Sequence, residues 1–472
     1  MDQNQAPLFE ALKKHTEHNS VSFHVPGHKS GKVFTSEAES FHSLLPYDLT
    51  ELQGLDDLHQ PEGPIKQAEL LASDLYQTDQ TFFLVNGSTV GNLAMVLSVC
   101  KQGDAVLVQR NSHKSIFNAL ELAGARPIFI SPKFDQRTER YSYIDSNDIK
   151  QAIEGYSEIK ALVLTHPDYF GTTYDLSSIV DIAHKNSISV LVDEAHGAHF
   201  PLSDQFPKSA LEAGADIVVH SAHKSLPAMT MGSFLHIQSS KVSHETVKNY
   251  LQMLQSSSPS YPIMASLDLA RQFVSQLTET NVSTIIKNIN ELRIKINELP
   301  YLRTKKVENR MDDPLKVIVS SNEYNLHHFE GILNHHHIFP EMVENNQMLF
   351  MAGLDLNPIQ LDWIDQIKNR ENNIRKLDKR DTITLEQATI KSLDYSYNEL
   401  KSFKAKWVDW ERAAGEIAAQ AVIPYPPGVP LLLKGERINQ YHIAAIKQAF
   451  SRGQYIQYSG KDLSKGIEIL LK

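Results

Sequence analysis

A doubly wound α/β domain followed by a smaller α+β domain is the fold the sequence predicts, on three observations. Between residues 81 and 240, short apolar runs alternate with helix-like segments. The runs are nearly continuous in Val, Ile and Leu, as strands covered on both faces are. After about residue 300 the alternation gives way to a mixed pattern.

The expected strands are TFFLV (81–85), AVLVQ (105–109), RPIFI (126–130), ALVLT (161–165), ISVLV (188–192), DIVVH (216–220) and GSFLHI (232–237). Helical periodicity fills 90–100, 115–125 and 177–186 between them. Interleaved helices imply a mostly parallel sheet, with ligands at the carboxyl ends of its strands. Residues 1–60 are rich in turn formers and read as an irregular arm, which leaves 61–300 as the large domain. In the small domain, 301–472, the pattern predicts a strand at 314–321, a helix over 327–339 and a helix near 405–420. A polar stretch lies at 366–402 and a Pro-rich strand–loop piece at 421–438.

Bulk properties exclude several classes. The chain has 472 residues, 41% hydrophobic and 22% charged, with 46 Lys and Arg against 56 Asp and Glu. A formal charge of −10 gives no positive field for nucleic acid or an anionic membrane. Cys100 stands alone, so no intrachain disulfide or cysteine metal cluster can form. The first residues lack the apolar core of a signal peptide, and no apolar run is long enough to span a bilayer. A cytoplasmic protein is expected.

The tetrapeptide DEAH (193–196) is shared with ATP-driven helicases, which pair it with the phosphate loop G-x-x-x-x-G-K-[ST]. The nearest match, Gly27 to Val33, is one residue short between its glycines and has Val33 in place of the Mg²⁺-binding hydroxyl. The helicase reading fails there. Metal catalysis is also weighed: Asp193, His196 and His199 have ligand-like spacing, and His335, His336 and His337 form a triplet. H-E-x-x-H is absent, however, and no metal is expected.

Polar residues gather where the strands end. NGST (86–89) opens a helix, an arrangement that offers N–H groups and a positive dipole end to an anion, although a simple helix cap looks the same. His113 follows the second strand, Thr172 and Thr173 the fourth, Asp193 the fifth, and Ser221, His223 and Lys224 the sixth. Asp193 alone reads as a cap and Lys224 as a surface cation. Together, beside an anion site, they suit pyridoxal 5′-phosphate, which needs a lysine amine, a carboxylate for its ring nitrogen and a phosphate cradle.

Eight stretches in order resemble the fold-type-I, pyridoxal-phosphate-dependent ornithine/lysine/arginine decarboxylase family. They are FHVPGHKSG (23–31), DLTELQGLDDLHQPEGPI (48–65), FFLVNGSTVGN (82–92), QRNSHKS (109–115), HPDYFGTTYDL (166–176), VDEAHGAHF (192–200), HSAHKSLPAMTMGSFLH (220–236) and YPPGVPLLLKGE (425–436). The resemblance implies that Lys224 carries the cofactor as a Schiff base and that Asp193 partners its ring nitrogen. His113 stacks on one ring face, and Ala195 packs on the other with His196 close by. Ser88, Thr89, Ser221 and His223 hold the phosphate, and Lys224 or His223 returns a proton after CO₂ leaves.

Substrate choice needs a carboxylate for a distal cation. The family pattern suggests Glu436, although Lys434 departs from the usual proline; Asp56 and Asp57 in the arm are the alternatives. Arginine is the first expectation, then lysine, then ornithine. The family arm begins within the first 25 residues, so the short form without a wing domain is expected, as a homodimer or a dimer of dimers. The HVPGHK arm is expected to reach the neighbouring subunit. Other fold-type-I activities, such as aminotransferase or lyase, and a non-catalytic regulatory paralogue are the competing readings.

Overall fold

The computed structural model describes every residue except 19, 345, 371–375, 377–388, 426–427 and 452–453. The chain forms two compact units, Met1–Val99 with Ser189–Val282 and Cys100–Ile188 with Ser283–Lys472. Both units draw on the span 61–300 expected to be the large domain.

Seven strands stand where the apolar runs predict them: β1 (Gln80–Leu84), β2 (Ala105–Gln109), β3 (Arg126–Ile130), β4 (Ile159–Thr165), β5 (Ser189–Asp193), β6 (Ile217–His220) and β7 (Ser233–Ile237). In the first unit the order is β1-β7-β6-β5. β5 and β6 are parallel, with Asp193 opposite Val219, while β7 is antiparallel to both β6 and β1. The reversal has a cause in the connection. Between β6 and β7 lies only a one-turn helix, Ala222–Ser225, too short for the crossover that a parallel neighbour requires. In the second unit β4, β2 and β3 are parallel in that order, and Ile390–Ser392 adds an antiparallel edge.

Residues 1–60, expected to be irregular, contain helix α1 (Pro7–Thr16), whose Leu8 and Leu12 are fully buried. Pro7 at its first position costs no hydrogen bond, and the Asp268 carboxylate accepts from the Leu8 N–H. Helix α2 (Pro64–Tyr76) follows, then α3 (Gly87–Val99) directly behind β1. Gly91 lets α3 lie close on the sheet: a Cβ there would stand 2.8 Å from Leu84 and Val219 side-chain carbons.

In the second unit, α4 (Lys114–Ala123) follows β2. The strand and helix expected at 314–321 and 327–339 appear as Lys316–Ser320 and Leu326–His335. The helix expected near 405–420 does not form. Lys404–Asp409 is a strand paired antiparallel with Gly466–Leu471, followed by a single helical turn, Trp410–Ala413. The partner strand lies about sixty residues downstream, beyond the reach of local periodicity. Trp410, Val422, Leu432, Ile438, Ile446 and Ile467 close a core of their own beneath it. The middle of the polar stretch 366–402 lies outside the described residues.

Candidate active site

In the first unit three side-chain contacts, connected to one another along the chain, join three of the segments expected to bind the cofactor. Ser88, in the first turn of α3, accepts a hydrogen bond from the Ser221 hydroxyl at 2.7 Å. Ser221 precedes the one-turn helix that carries Lys224, whose Nζ lies 3.2 Å from His196 Nε2. Three residues before His196, at the end of β5, the Asp193 carboxylate accepts from Asn92 Nδ2 at 2.8 Å and from the Ala195 N–H at 3.1 Å. Asn92 lies one turn after Ser88 on the same face of α3, which links the last contact to the first along the chain. Ser221, Asp193 and Asn92 are at most 4% exposed, and Ala195 and His196 are each 7% exposed.

The donor set fits pyridoxal 5′-phosphate. A primary amine, a buried carboxylate held by two donors, and two hydroxyls at the N-terminus of a 13-residue helix all belong to this one set of contacts. Thr89 is exposed on the same first turn. Gly87 sits at φ +74°, a conformation L side chains rarely adopt, and donates its N–H to Met231 O. His223 donates from Nδ1 to the Gly232 carbonyl at 3.0 Å. Burial lowers its pKa, and nearby Lys224 lowers it further against that hydrogen bond. Its Nε2 therefore carries a proton for an anion only when the ring is charged.

The ligand-like spacing of Asp193, His196 and His199 does not gather them on a metal. His196 faces Lys224, and the His199 ring packs edge-on against Phe200 and Phe206. Among the described residues no group of three or more His, Cys, Asp or Glu is gathered as a metal site, and no helix is long and apolar enough to cross a membrane.

The acids expected to meet a substrate's distal cation have other engagements. Asp56 accepts from the backbone N–H groups of Glu62, Gly63, Ile65 and Lys66 at 2.7–3.3 Å and so caps α2. Asp57 accepts from the His59 N–H. In the second unit, Glu436 is 4% exposed and grips Arg110 through both oxygens, while also accepting from the Leu433 N–H. Burial raises its pKa, but the Arg110 charge and hydrogen bonds outweigh this and hold it below the usual carboxylate range. The carboxylate put forward for a substrate's distal cation thus stands in a buried ion pair with Arg110.

His113 also lies in the second unit, where it caps α4. Its Nδ1 lies 2.8 Å from Ser115 Oγ and accepts the Ser115 N–H at 3.3 Å. Gly428, at φ +86°, stands against the imidazole, where a Cβ would be 3.0 Å from the ring. Sequence reasoning missed Asn92, although its i+4 spacing from Ser88 inside NGSTVGN was the available signal. Nothing local marked Arg110 as the partner of Glu436.

Residues 6–342 match the Orn/Lys/Arg decarboxylase major-domain model and residues 379–452 the C-terminal-domain model. A Bacillus subtilis protein, YaaO, is 44% identical over 99% of this chain and 98% of its own length. An arginine decarboxylase of Bacillus anthracis is 34% identical over 97% of this chain and 95% of its own. The lysine decarboxylase LdcA of Pseudomonas aeruginosa is 30% identical, over 56% of this chain and 39% of its own. In structure, the Francisella novicida lysine decarboxylase LdcF superposes with a TM-score of 0.79 at 18% identity, covering 98% of this chain and 81% of that one. Sphingomonas wittichii serine palmitoyltransferase reaches 0.53 at 16% identity over 77% and 82%, so the architecture is that of fold-type-I enzymes.

Proposed function

This chain belongs to the ornithine/lysine/arginine decarboxylase family, and on that premise we propose that it is a pyridoxal 5′-phosphate enzyme that converts L-arginine to agmatine and CO₂. Lysine and ornithine follow as substrates in that order. The contacts of Ser88 with Ser221, Lys224 with His196 and Asp193 with Asn92 carry the cofactor assignment. Arginine is favoured because arginine decarboxylases align over nearly the whole chain, whereas the lysine and ornithine enzymes align over 56%.

When bound, the cofactor supplies an aldehyde for the substrate amine and a protonated ring that takes up the electron pair of the breaking Cα–carboxylate bond. Ser88, Ser221 and the first N–H groups of α3 receive the phosphate charge. Asp193, fixed by Asn92 and Ala195, holds the proton on the ring nitrogen. His196 Nε2, beside Lys224, accepts a proton from the ammonium and leaves the lysine amine free to exchange with the substrate. The proton held on His196 would then pass back through Lys224 to Cα, since His223 is biased towards its neutral form and its Nδ1 proton is given to Gly232. Ala195 and His113 are assigned to the ring faces, and Thr89 and His223 to the phosphate, on the family pattern. The active form is a cytoplasmic homodimer or dimer of dimers, to be measured by light scattering.

Incubating the cofactor-loaded protein separately with L-arginine, L-lysine and L-ornithine tests the assignment. The expected result is agmatine and CO₂ in equal amounts from arginine. Cadaverine or putrescine instead would overturn the substrate, and no CO₂ from any of the three would overturn the reaction.

A further inference from the structure

DEAH has one member without a role in the proposed chemistry. Glu194 follows Asp193 directly and is fully buried. Its carboxylate accepts three hydrogen bonds, from Ser209 Oγ at 2.6 Å, the Ala210 N–H at 2.7 Å and His220 Nε2 at 2.8 Å. The chain of contacts continues sideways across the sheet. His220 Nδ1 lies 3.0 Å from His236 Nε2, His236 Nδ1 lies 2.8 Å from Thr81 Oγ, and Thr81 Oγ lies 2.9 Å from Thr78 Oγ. His220, His236 and Thr81 are 0% exposed, and they stand on β6, β7 and β1, with Thr81 directly opposite His236. Tyr76 covers both rings at 5.4 and 4.7 Å and donates its hydroxyl to Ala198 O.

The proton positions follow by elimination. An ionised Glu194 can only accept, so His220 donates from Nε2 and, when neutral, must accept at Nδ1. His236 then donates from Nε2 and accepts at Nδ1, which leaves Thr81 as the donor there and Thr78 as the donor to Thr81. Burial and the neighbouring His220 hold His236 well towards its neutral form, in keeping with this order. Every donor in the row points towards Glu194. Gly197 belongs to the same arrangement: a Cβ there would lie 2.6 Å from Glu194 Cγ, so the side chain passes through space that only glycine leaves open.

Glu194 lies between the two residues that define the carboxylate's geometry, Asp193 itself and Ala195, whose N–H donates to Asp193 Oδ1. We propose that Glu194, His220, His236 and Thr81 form a positioning network that pins the 194–197 turn and thereby aims the Asp193 carboxylate at the ring nitrogen of the bound cofactor. This rests on the cofactor reading above. The network touches neither cofactor nor substrate and acts through Asp193.

The test compares binding of pyridoxal 5′-phosphate with binding of its 1-deaza analogue, in which carbon replaces the ring nitrogen. Wild-type protein should prefer the natural cofactor. Glu194→Gln should lose about tenfold in affinity for it while holding the deaza analogue within about twofold, and the nearly isosteric Thr81→Val should shift the ratio in the same direction by less. Equal losses for both ligands, or no loss for either, would overturn the network. A wild-type protein that binds both equally would overturn the Asp193 assignment first. Should Glu194→Gln fail to fold, Thr81→Val and ¹⁵N NMR of the cofactor-free protein carry the test. The expected spectrum has His220 and His236 each protonated at Nε2 alone, and an Nδ1 proton on either would break the chain.

Discussion

Arg110 and Glu436, 326 residues apart, form a two-pronged ion pair in which neither side chain is more than 8% exposed, with Nη2–Oε2 at 2.7 Å and Nε–Oε1 at 3.0 Å. Arg110 also donates to the carbonyls of Pro430 and Leu431, so one guanidinium at the end of β2 clamps the segment after the Pro-rich loop. Glu436→Gln should therefore destabilise the second unit by about 3–5 kcal/mol, because a buried guanidinium is left with uncompensated charge. Denaturant unfolding checks this. The carboxylate's pKa is depressed in the fold, so the pair's stabilisation is fully present above the ordinary carboxylate range and is lost as pH falls through the lowered value. Unchanged stability combined with a switch in amino-acid preference would restore the expectation that Glu436 reads the substrate.

Lys224→Ala should abolish CO₂ release, by at least about 10³-fold, and remove the visible absorbance band of the loaded enzyme. Its melting midpoint should stay close to wild type, since the side chain is only partly buried. Turnover at the wild-type rate would remove the lysine from the chemistry.

Glu69 gives a pH dependence of opposite sign to that of Glu436. Its side chain is 3% exposed, Oε1 accepts from the Phe83 N–H, and Oε2 has no hydrogen-bond partner. Burial raises its pKa from 4.5 to about 8. The folded chain thus keeps a proton that the unfolded chain releases near 4.5, so stability falls as pH rises from about 4.5 to about 8 and levels off beyond. Glu69→Gln should flatten that slope and leave the protein more stable than wild type at pH 8.5, by up to a few kcal/mol. Thermal melts across the pH range would show it; parallel curves for the two proteins would refute it.

Gly91→Ala should cost about 1–3 kcal/mol, because the added methyl group meets Leu84 and Val219 in a packed layer. Displacing α3 moves both Ser88 and Asn92, so affinity for the cofactor should fall alongside stability. A variant with wild-type affinity and stability would show that α3 has room to shift.

The strands and most of the helices of the α/β portion were legible because each is specified by residues a few positions apart. An unbroken Val–Leu–Val run reads as a covered strand wherever it stands. The residues at the strand ends were legible for a related reason: the one-turn helix after β6 and the first turn of α3 place Lys224 and Ser88 by short-range geometry. Lys404–Asp409 was misread as helix because its pairing partner, Gly466–Leu471, is remote and an exposed edge leaves no strict alternation. Helix α1 was missed because its short apolar set gains its burial only against distant residues such as Asp268.

By itself the sequence determined the chemistry on offer: an amine, a carboxylate and a hydroxyl-lined helix start, each at the carboxyl end of a strand. Only the tertiary structure decided what each acidic side chain does. Asp56 caps a helix, Glu436 pairs with Arg110, and Glu194 ends a row of donors that begins three strands away. A carboxylate in a low-dielectric interior must find partners or lose its charge, and those partners are brought to it by the fold rather than by its neighbours in the chain.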